Sequence, residues 1–218
     1  MTALEGNGLI VGSLFAAGTT TRLDRLDWAN VAETEGRSLI EEAWGRYVAL
    51  LVSPRGHPVI VRDPSGSLPV YLHASNDHAL ATSDAGLAAD LGLISAKIDW
   101  AFVAEELGFP GQRGQRTGIS DLEELAPGEH AELVDGRWRP TALWSPWTFA
   151  TRSRQQHDPE MAARRLFDAV KLSADGLSNG RTALTLELSG GLDSSITATA
   201  LAGHPGVRAV NGATLGAE

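Results

Sequence analysis

Residues 182–203 read Thr-Ala-Leu-Thr-Leu-Glu-Leu-Ser-Gly-Gly-Leu-Asp-Ser-Ser-Ile-Thr-Ala-Thr-Ala-Leu-Ala-Gly, and the fold turns on how they are read. Leu184, Leu186 and Leu188 alternate with Thr185 and Glu187, a period of two over the length of a strand. Ser189-Gly190-Gly191 follows, two positions without a Cβ where the chain must turn. Asp193, Ser194 and Ser195 have side chains suited to capping, and with the small-residue run 196–202 behind them they predict the start of a helix. Gly203 and Pro205 end that helix, and the apolar run 207–210 begins a second strand. Strand, glycine loop, helix and strand make a βαβ unit with parallel strands.

A glycine loop that opens a helix presents unbonded backbone N–H groups and the positive end of the helix dipole, a combination suited to phosphate oxygens. The hydroxyls of Ser189, Ser194 and Ser195 would add donors. The Walker pattern requires a lysine directly after its last glycine, and none is present in or after this loop. Transfer of a terminal phosphate is therefore not indicated, whereas a reaction in which pyrophosphate leaves suits a loop that holds two phosphates together. Asp193 would be placed to help hold a Mg²⁺ that neutralises them.

The run Ser189-Gly190-Gly191-Leu192-Asp193-Ser194-Ser195 resembles the SGG-x-DS pyrophosphate loop of the ATP-pyrophosphatase superfamily, and with Leu188 in front it has the form seen in the asparagine synthetase family. The resemblance implies ATP and Mg²⁺ as cofactors. It implies that Ser189, Gly190, Gly191, Asp193, Ser194 and Ser195 bind pyrophosphate and the metal, and that Leu188 lines the adenine site. The competing reading is an ordinary βα turn rich in Gly and Ser, but turn chemistry does not require the Asp-Ser-Ser continuation.

Upstream, the runs 47–52, 59–61, 70–72 and 80–82 alternate with the turn clusters 54–57, 63–66 and 75–78 at hairpin spacing and predict an antiparallel meander. Residues 9–17 form an earlier strand, and 22–42 hold short helical pieces. Asp84 predicts a short helix over 85–91, and Asp99 or Trp100 another that ends at Gly108. Residues 129–134 and 137–144 flank Asp135-Gly136, a hairpin signature. Gly6-Asn7-Gly8 precedes a strand instead of following one, so it reads as a turn and not a dinucleotide loop. Asp158-Pro159-Glu160 is a helix start, and Met161, Ala162, Leu166, Ala169 and Val170 form an apolar stripe expected to be core.

The first half carries a second resemblance. Arg62-Asp63-Pro64-Ser65-Gly66-Ser67-Leu68-Pro69-Val70-Tyr71 resembles the Arg-Asp-x-x-Gly-x-x-Pro-Leu-Tyr hairpin of the glutaminase domain of asparagine synthetases, and Leu125-Ala126-Pro127-Gly128 their later Leu-x-Pro-Gly turn. The fold expected is an α+β N-terminal domain with antiparallel sheets, Ntn-hydrolase-like, at residues 1–145. A linker at 146–157 leads to the beginning of an α/β parallel-sheet nucleotide-binding domain at 158–218. A glutamine-hydrolysing member would have an N-terminal cysteine; here Thr2 is the only candidate nucleophile, and the Arg-Gly-Pro-Asp and Asn-Gly-Glu pocket motifs are absent. The expectation is a domain that has kept its fold and lost ammonia production, as in β-lactam synthetases and lasso peptide cyclases.

The function implied is ATP-dependent amide-bond formation through an adenylated carboxylate, lasso-cyclase-like or asparagine-synthase-like. The alternative is a non-catalytic remnant that binds nucleotide or peptide. The substrate would be a small-molecule or peptide carboxylate, with a precursor peptide and companion biosynthetic proteins as conceivable partners. Because the chain stops at Glu218, just after the second strand of that domain, it is expected to be incomplete and inactive alone.

Composition bounds the rest. Lys and Arg number 18 against 27 Asp and Glu, a net charge of −9 that disfavours nucleic acid as a partner. There is no cysteine, which excludes disulfides and thiolate chemistry, and no apolar run long enough for a membrane span. A cytoplasmic location is expected. The six histidines show no metal-ligand spacing.

Overall fold

Alternation of apolar and polar side chains builds the first of two compact units, which comprises Met1–Leu14 and Leu23–Phe149; the second comprises Phe15–Arg22 and Ala150–Glu218. The computed structural model describes residues 8–111 and 114–211. Thr2 therefore lies outside the described residues, as do Gly6 and Asn7.

In the first unit, β1 (Gly8–Ala16) is followed by two short helices, α1 (Trp28–Glu33) and α2 (Arg37–Glu42), and by β2 (Ala43–Val52) and β3 (Pro58–Arg62). The hairpin β4 (Tyr71–Ala74) and β5 (Ala79–Thr82) comes next, then α3 (Ala85–Asp90), α4 (Trp100–Gly108), β6 (Glu123–Glu124), β7 (Glu129–Val134) and β8 (Arg137–Ala142). A five-stranded sheet has the order β1-β2-β3-β7-β8, and a three-stranded sheet the order β5-β4-β6. The pairs β2/β3, β3/β7, β7/β8, β4/β5 and β4/β6 are antiparallel.

The large sheet is apolar on both faces. Tyr47, Ala49, Leu51, Val59 and Val61 point one way, with Ile10 and Leu14, onto Val31, Ala32 and Leu39 of the helices. Ile60 and Ala131 point the other way, with Val48 and Trp138, onto Val70, Leu72, Ala81 and Leu125 of the small sheet and its turns. Val59, Ile60 and Val61 are all buried, the mark of a strand covered on both sides.

The expected meander is corrected here, because β3 pairs with β7 and not with β4. The physical cause lies in the connection. Arg62 donates from Nε to the Leu68 carbonyl at 2.8 Å and from Nη2 to the Gly66 carbonyl at 2.8 Å, holding residues 63–70 in a wide turn that carries the chain to the second sheet. The short β6 had no sequence signal of its own. Asp84 and Asp99 cap α3 and α4 through Leu87 N and Phe102 N, as their positions predict. Asp135 (φ 52°) and Gly136 (φ 72°) both take left-handed backbone, the geometry of a tight hairpin turn of type I′.

In the second unit, α5 (Pro159–Ser178) starts at Asp158, whose carboxylate accepts from the N–H groups of Glu160 and Met161. β9 (Leu184–Glu187), α6 (Leu192–Ala200) and β10 (Val207–Val210) form the βαβ unit, its two strands parallel in the register Val207↔Leu184 to Val210↔Glu187. The apolar stripe on α5 is a second correction. Met161 and Leu166 are exposed, as is Phe167, because among the described residues only the second half of the helix, around the buried Gly176 and Ser178, is covered. Within residues 146–157, expected to be a linker, 3-10 turns occupy Pro146–Thr148 and Arg152–Arg154. No described helix is long and apolar enough to cross a membrane.

Candidate functional site

The loop between β9 and α6 sits at the carboxyl end of a parallel strand, where open α/β sheets place their ligand crevices. Leu188 continues the ladder beyond β9, its N–H donating to the Val210 carbonyl at 2.8 Å, so the strand pair is braced up to the residue before the loop. At the other end of the pair Gly206 is required, because a Cβ there would strike the Thr182 carbonyl. Gly190 takes φ +79°, a left-handed conformation that costs other residues about 1–2 kcal/mol, and nothing lies within 4 Å of where its Cβ would be. Gly191 is the N-cap, in extended backbone, and offers no side chain to the helix end.

Here the sequence expectation is corrected. Asp193, Ser194 and Ser195 do not cap α6; the helix begins at Leu192, and Asp193 stands in its first turn. The hydroxyls of Ser194 and Ser195 fold back on the Gly191 carbonyl at 3.1 and 2.8 Å, and Ser194 Oγ lies 3.3 Å from Ser189 Oγ. Hydroxyls suited to capping bond the preceding turn just as readily when a glycine has taken the cap. The first intrahelical bond is from Ser195 N to the Gly191 carbonyl at 3.2 Å, so the N–H groups of Leu192, Asp193 and Ser194 point out of the helix end. The loop thus brings together an uncapped helix N-terminus, the Ser189 and Ser194 hydroxyls and one exposed carboxylate. Among the described residues there is no cluster of three or more His, Cys, Asp or Glu that would hold a metal without help from a ligand.

The two segments that carry the resemblance in the first unit pack on one another. Arg62 is buried and donates from Nη1 to Glu124 Oε1 at 2.8 Å and to the Leu125 carbonyl, besides its two bonds within 63–70. Gly128 N lies 3.2 Å from the carbonyls of both Arg62 and Asp63. Asp63, fully buried, accepts from Ser65 N at 2.7 Å and from Tyr47 N at 3.1 Å. These residues hold the two sheets together. Tyr47 is also fully buried and its hydroxyl has no partner; burial first, and the charge of Asp63 second, push its pKa well above the ordinary tyrosine value.

Sequence reading missed a polar cluster on the helix-facing side of the large sheet. Glu132, nearly buried, accepts from Ser53 Oγ at 3.2 Å, Arg55 Nη2 at 3.1 Å and His57 Nδ1 at 3.0 Å. Burial works against its charge, but the His57 hydrogen bond, the Arg55 charge and the Ser53 hydroxyl outweigh it and hold the carboxyl below its ordinary value. Arg55 also reaches Glu35 Oε1 at 2.6 Å. His130 is buried beside them, its Nδ1 2.9 Å from the Glu35 carbonyl. The contributing residues come from three separated segments, and no spacing in the sequence announces them.

No protein-family model matches the chain, and no curated protein matches it.

Proposed function

We propose that this chain carries the pyrophosphate-binding loop of an ATP-dependent carboxylate–amine ligase of the asparagine synthetase type. The first unit, with its two packed antiparallel sheets, is then a glutaminase-like, Ntn-hydrolase-like domain that no longer releases ammonia, and the second is the start of the nucleotide-binding domain. The observation that carries the reading is the uncapped N-terminus of α6 at the end of a parallel strand, with a carboxylate in its first turn and no lysine in the loop. The expected absence of a Walker lysine fits loss of pyrophosphate better than transfer of the terminal phosphate.

In this mechanism the substrate carboxylate oxygen attacks the α-phosphorus of ATP, and the bond to the β-phosphate oxygen breaks. The N–H groups of Leu192, Asp193 and Ser194 and the positive end of the helix receive the charge that builds on the leaving pyrophosphate. Ser189 and Ser194 turn their hydroxyls from the Gly191 carbonyl and from each other towards the phosphates. A Mg²⁺ between Asp193 and the phosphates would neutralise part of the same charge. An amine then attacks the acyl-adenylate carbonyl and AMP leaves. The amine in this reading comes from the substrate itself, as in peptide cyclisation, or from solution. A small-molecule or peptide carboxylate is the substrate class, with a precursor peptide and companion biosynthetic proteins as partners in the cyclising case.

The test is ATP–pyrophosphate exchange by the product of the whole reading frame, with Asp193→Ala beside it and nucleotide binding measured in parallel. Carboxylate-dependent exchange that disappears in Asp193→Ala supports the ligase. Nucleotide binding without exchange, whatever carboxylate or peptide is offered, would replace it with a non-catalytic binding module. Absence of both would remove nucleotide chemistry from the reading altogether.

A further inference from the structure

A cavity of about 530 Å³ opens on the helix-facing side of the large sheet, where the end of α1 and the start of α2 meet β7 and β8, wholly within the first unit. Its wall is built by an unusual turn. Helix α1 ends with Glu35 N bonded to the Ala32 carbonyl and Gly36 N to the Val31 carbonyl, a Schellman closure in which Glu35 itself takes φ +49°. A left-handed glutamate is costly, and Gly36 behind it must be glycine, since a Cβ there would run into Val61. The turn aims the Glu35 carbonyl at His130 and the Glu35 carboxylate at Arg55.

This geometry sets the chemistry of the wall. A carbonyl only accepts, so His130 Nδ1 carries a proton and donates to it, leaving Nε2 as the second polar atom of a buried ring that lines the cavity. Thr141 stands directly across from His130 in the β7/β8 register, and Arg139 directly across from Glu132. Both line the cavity, as does Arg37. The two buried-side carboxylates are already engaged, Glu35 with Arg55 and Glu132 with Arg55, His57 and Ser53. Arg139 has only a loose 3.8 Å pair with the exposed Asp135, and Arg37 forms no ion pair among the described residues. Three carboxylates thus line the cavity; Glu35 and Glu132 share Arg55, and Glu33, exposed at the rim, has no ion pair among the described residues.

We propose that this cavity is a binding site for a small dianion, a phosphate or a dicarboxylate. Arg37 and Arg139 supply the guanidinium forks and the Thr141 hydroxyl a neutral donor, and the His130 ring, held through Nδ1, stands in the same wall as a reporter of what binds there. Planar forks suit two-oxygen faces. The site is separate from the Ser189–Ser195 loop and does not depend on the ligase reading.

The experiment is histidine-selective NMR on the full chain, following the His130 ring while inorganic phosphate or succinate is added at constant ionic strength with chloride as the reference salt. His130 is expected to shift in a saturable way with one or both dianions and not with chloride; whichever dianion saturates first identifies the class. Arg37→Gln and Arg139→Gln should each weaken the response roughly tenfold, since a charge-assisted hydrogen bond contributes on the order of a factor of ten in affinity. Gly191→Ala, in the loop of the second unit, should leave it unchanged. Both arginines are exposed, so their variants are expected to keep the wild-type spectrum elsewhere. A His130 signal that does not move, moves equally with chloride, or keeps its wild-type affinity when both guanidinium groups are removed overturns the proposal.

Discussion

Replacing Tyr47 by phenylalanine should stabilise the first unit. The Tyr47 hydroxyl is fully buried in the core beneath α1 and α2 and has no hydrogen-bond partner. An orphaned buried polar group costs roughly 1–3 kcal/mol, and the void left by one oxygen gives back less than about 1 kcal/mol. The net gain expected for Tyr47→Phe is about 1–2 kcal/mol, which for a chain of this size raises Tm by roughly 2–8 °C. The same residue makes a second, independent demand on the pH dependence. Its folded-state pKa is raised, by burial first and by Asp63 second, so the neutral form is favoured by the fold. The unfolded chain therefore loses its proton first. The stability this contributes is complete below the ordinary tyrosine pKa near 10 and falls by about 1.4 kcal/mol per pH unit above it. Urea unfolding followed by tryptophan fluorescence from pH 8 to 11 measures both effects. Tyr47→Phe should be more stable at pH 8 and should lack one proton's worth of the alkaline slope. A variant less stable than wild type at pH 8, or one with the full wild-type slope, would refute the reasoning, because the hydroxyl would then have a partner worth keeping.

Gly66→Ala should cost the first unit roughly 2–4 kcal/mol, since it adds left-handed strain at φ +62° to a Cβ placed 2.6 Å from Pro127 Cγ. Gly56→Ala, at φ +82° with nothing within 4 Å, carries the strain alone and should cost about 1–2 kcal/mol; equal losses in chemical denaturation would show that the packing of the two turns contributes nothing. Glu132 has its carboxyl pKa lowered in the fold, so it stabilises above the ordinary glutamate value and that contribution is lost as pH falls through the depressed one. In acid-unfolding titrations Glu132→Gln should be less stable at neutral pH and should show a shallower acid decline; an unchanged decline would mean that the cluster with Arg55 and His57 is not formed in solution.

Local signals in the sequence were strong where the chain satisfies itself within a few residues. Asp84, Asp99 and Asp158 cap the helices they precede, and Asp135-Gly136 makes its turn, because each requires only neighbours two or three positions away. The βαβ unit was legible for the same reason. The caps on α6 were misread because a serine or aspartate after two glycines satisfies the capping pattern at several offsets, and the structure chooses Gly191. The pairing of β3 was misread because it is decided by Arg62, whose acceptors at Glu124 and Leu125 lie some sixty residues ahead. The exposed stripe on α5 shows the limit of periodicity, which says that a face is apolar and not that anything covers it. The anion cavity had no sequence signal because its parts meet only through strand register and the turn after α1.

The strand order has a consequence for the protein while it is being made. β3 pairs with β2 as soon as its hairpin has emerged, but its other edge waits for β7, whose residues at Val59↔Glu132 and Val61↔His130 are about seventy positions later. At a synthesis rate of roughly 5–20 residues per second, that edge stands open for several seconds on the ribosome, with Val59, Ile60 and Val61 along it. In the interval β4 and β5 can form and lay Leu72 and Ala81 over one face, while Arg62 already has its bonds to Gly66 and Leu68 within reach. The wide turn after β3 thus acts early as a stop, turning the chain away from an edge that a nearer strand would otherwise occupy until the proper partner arrives.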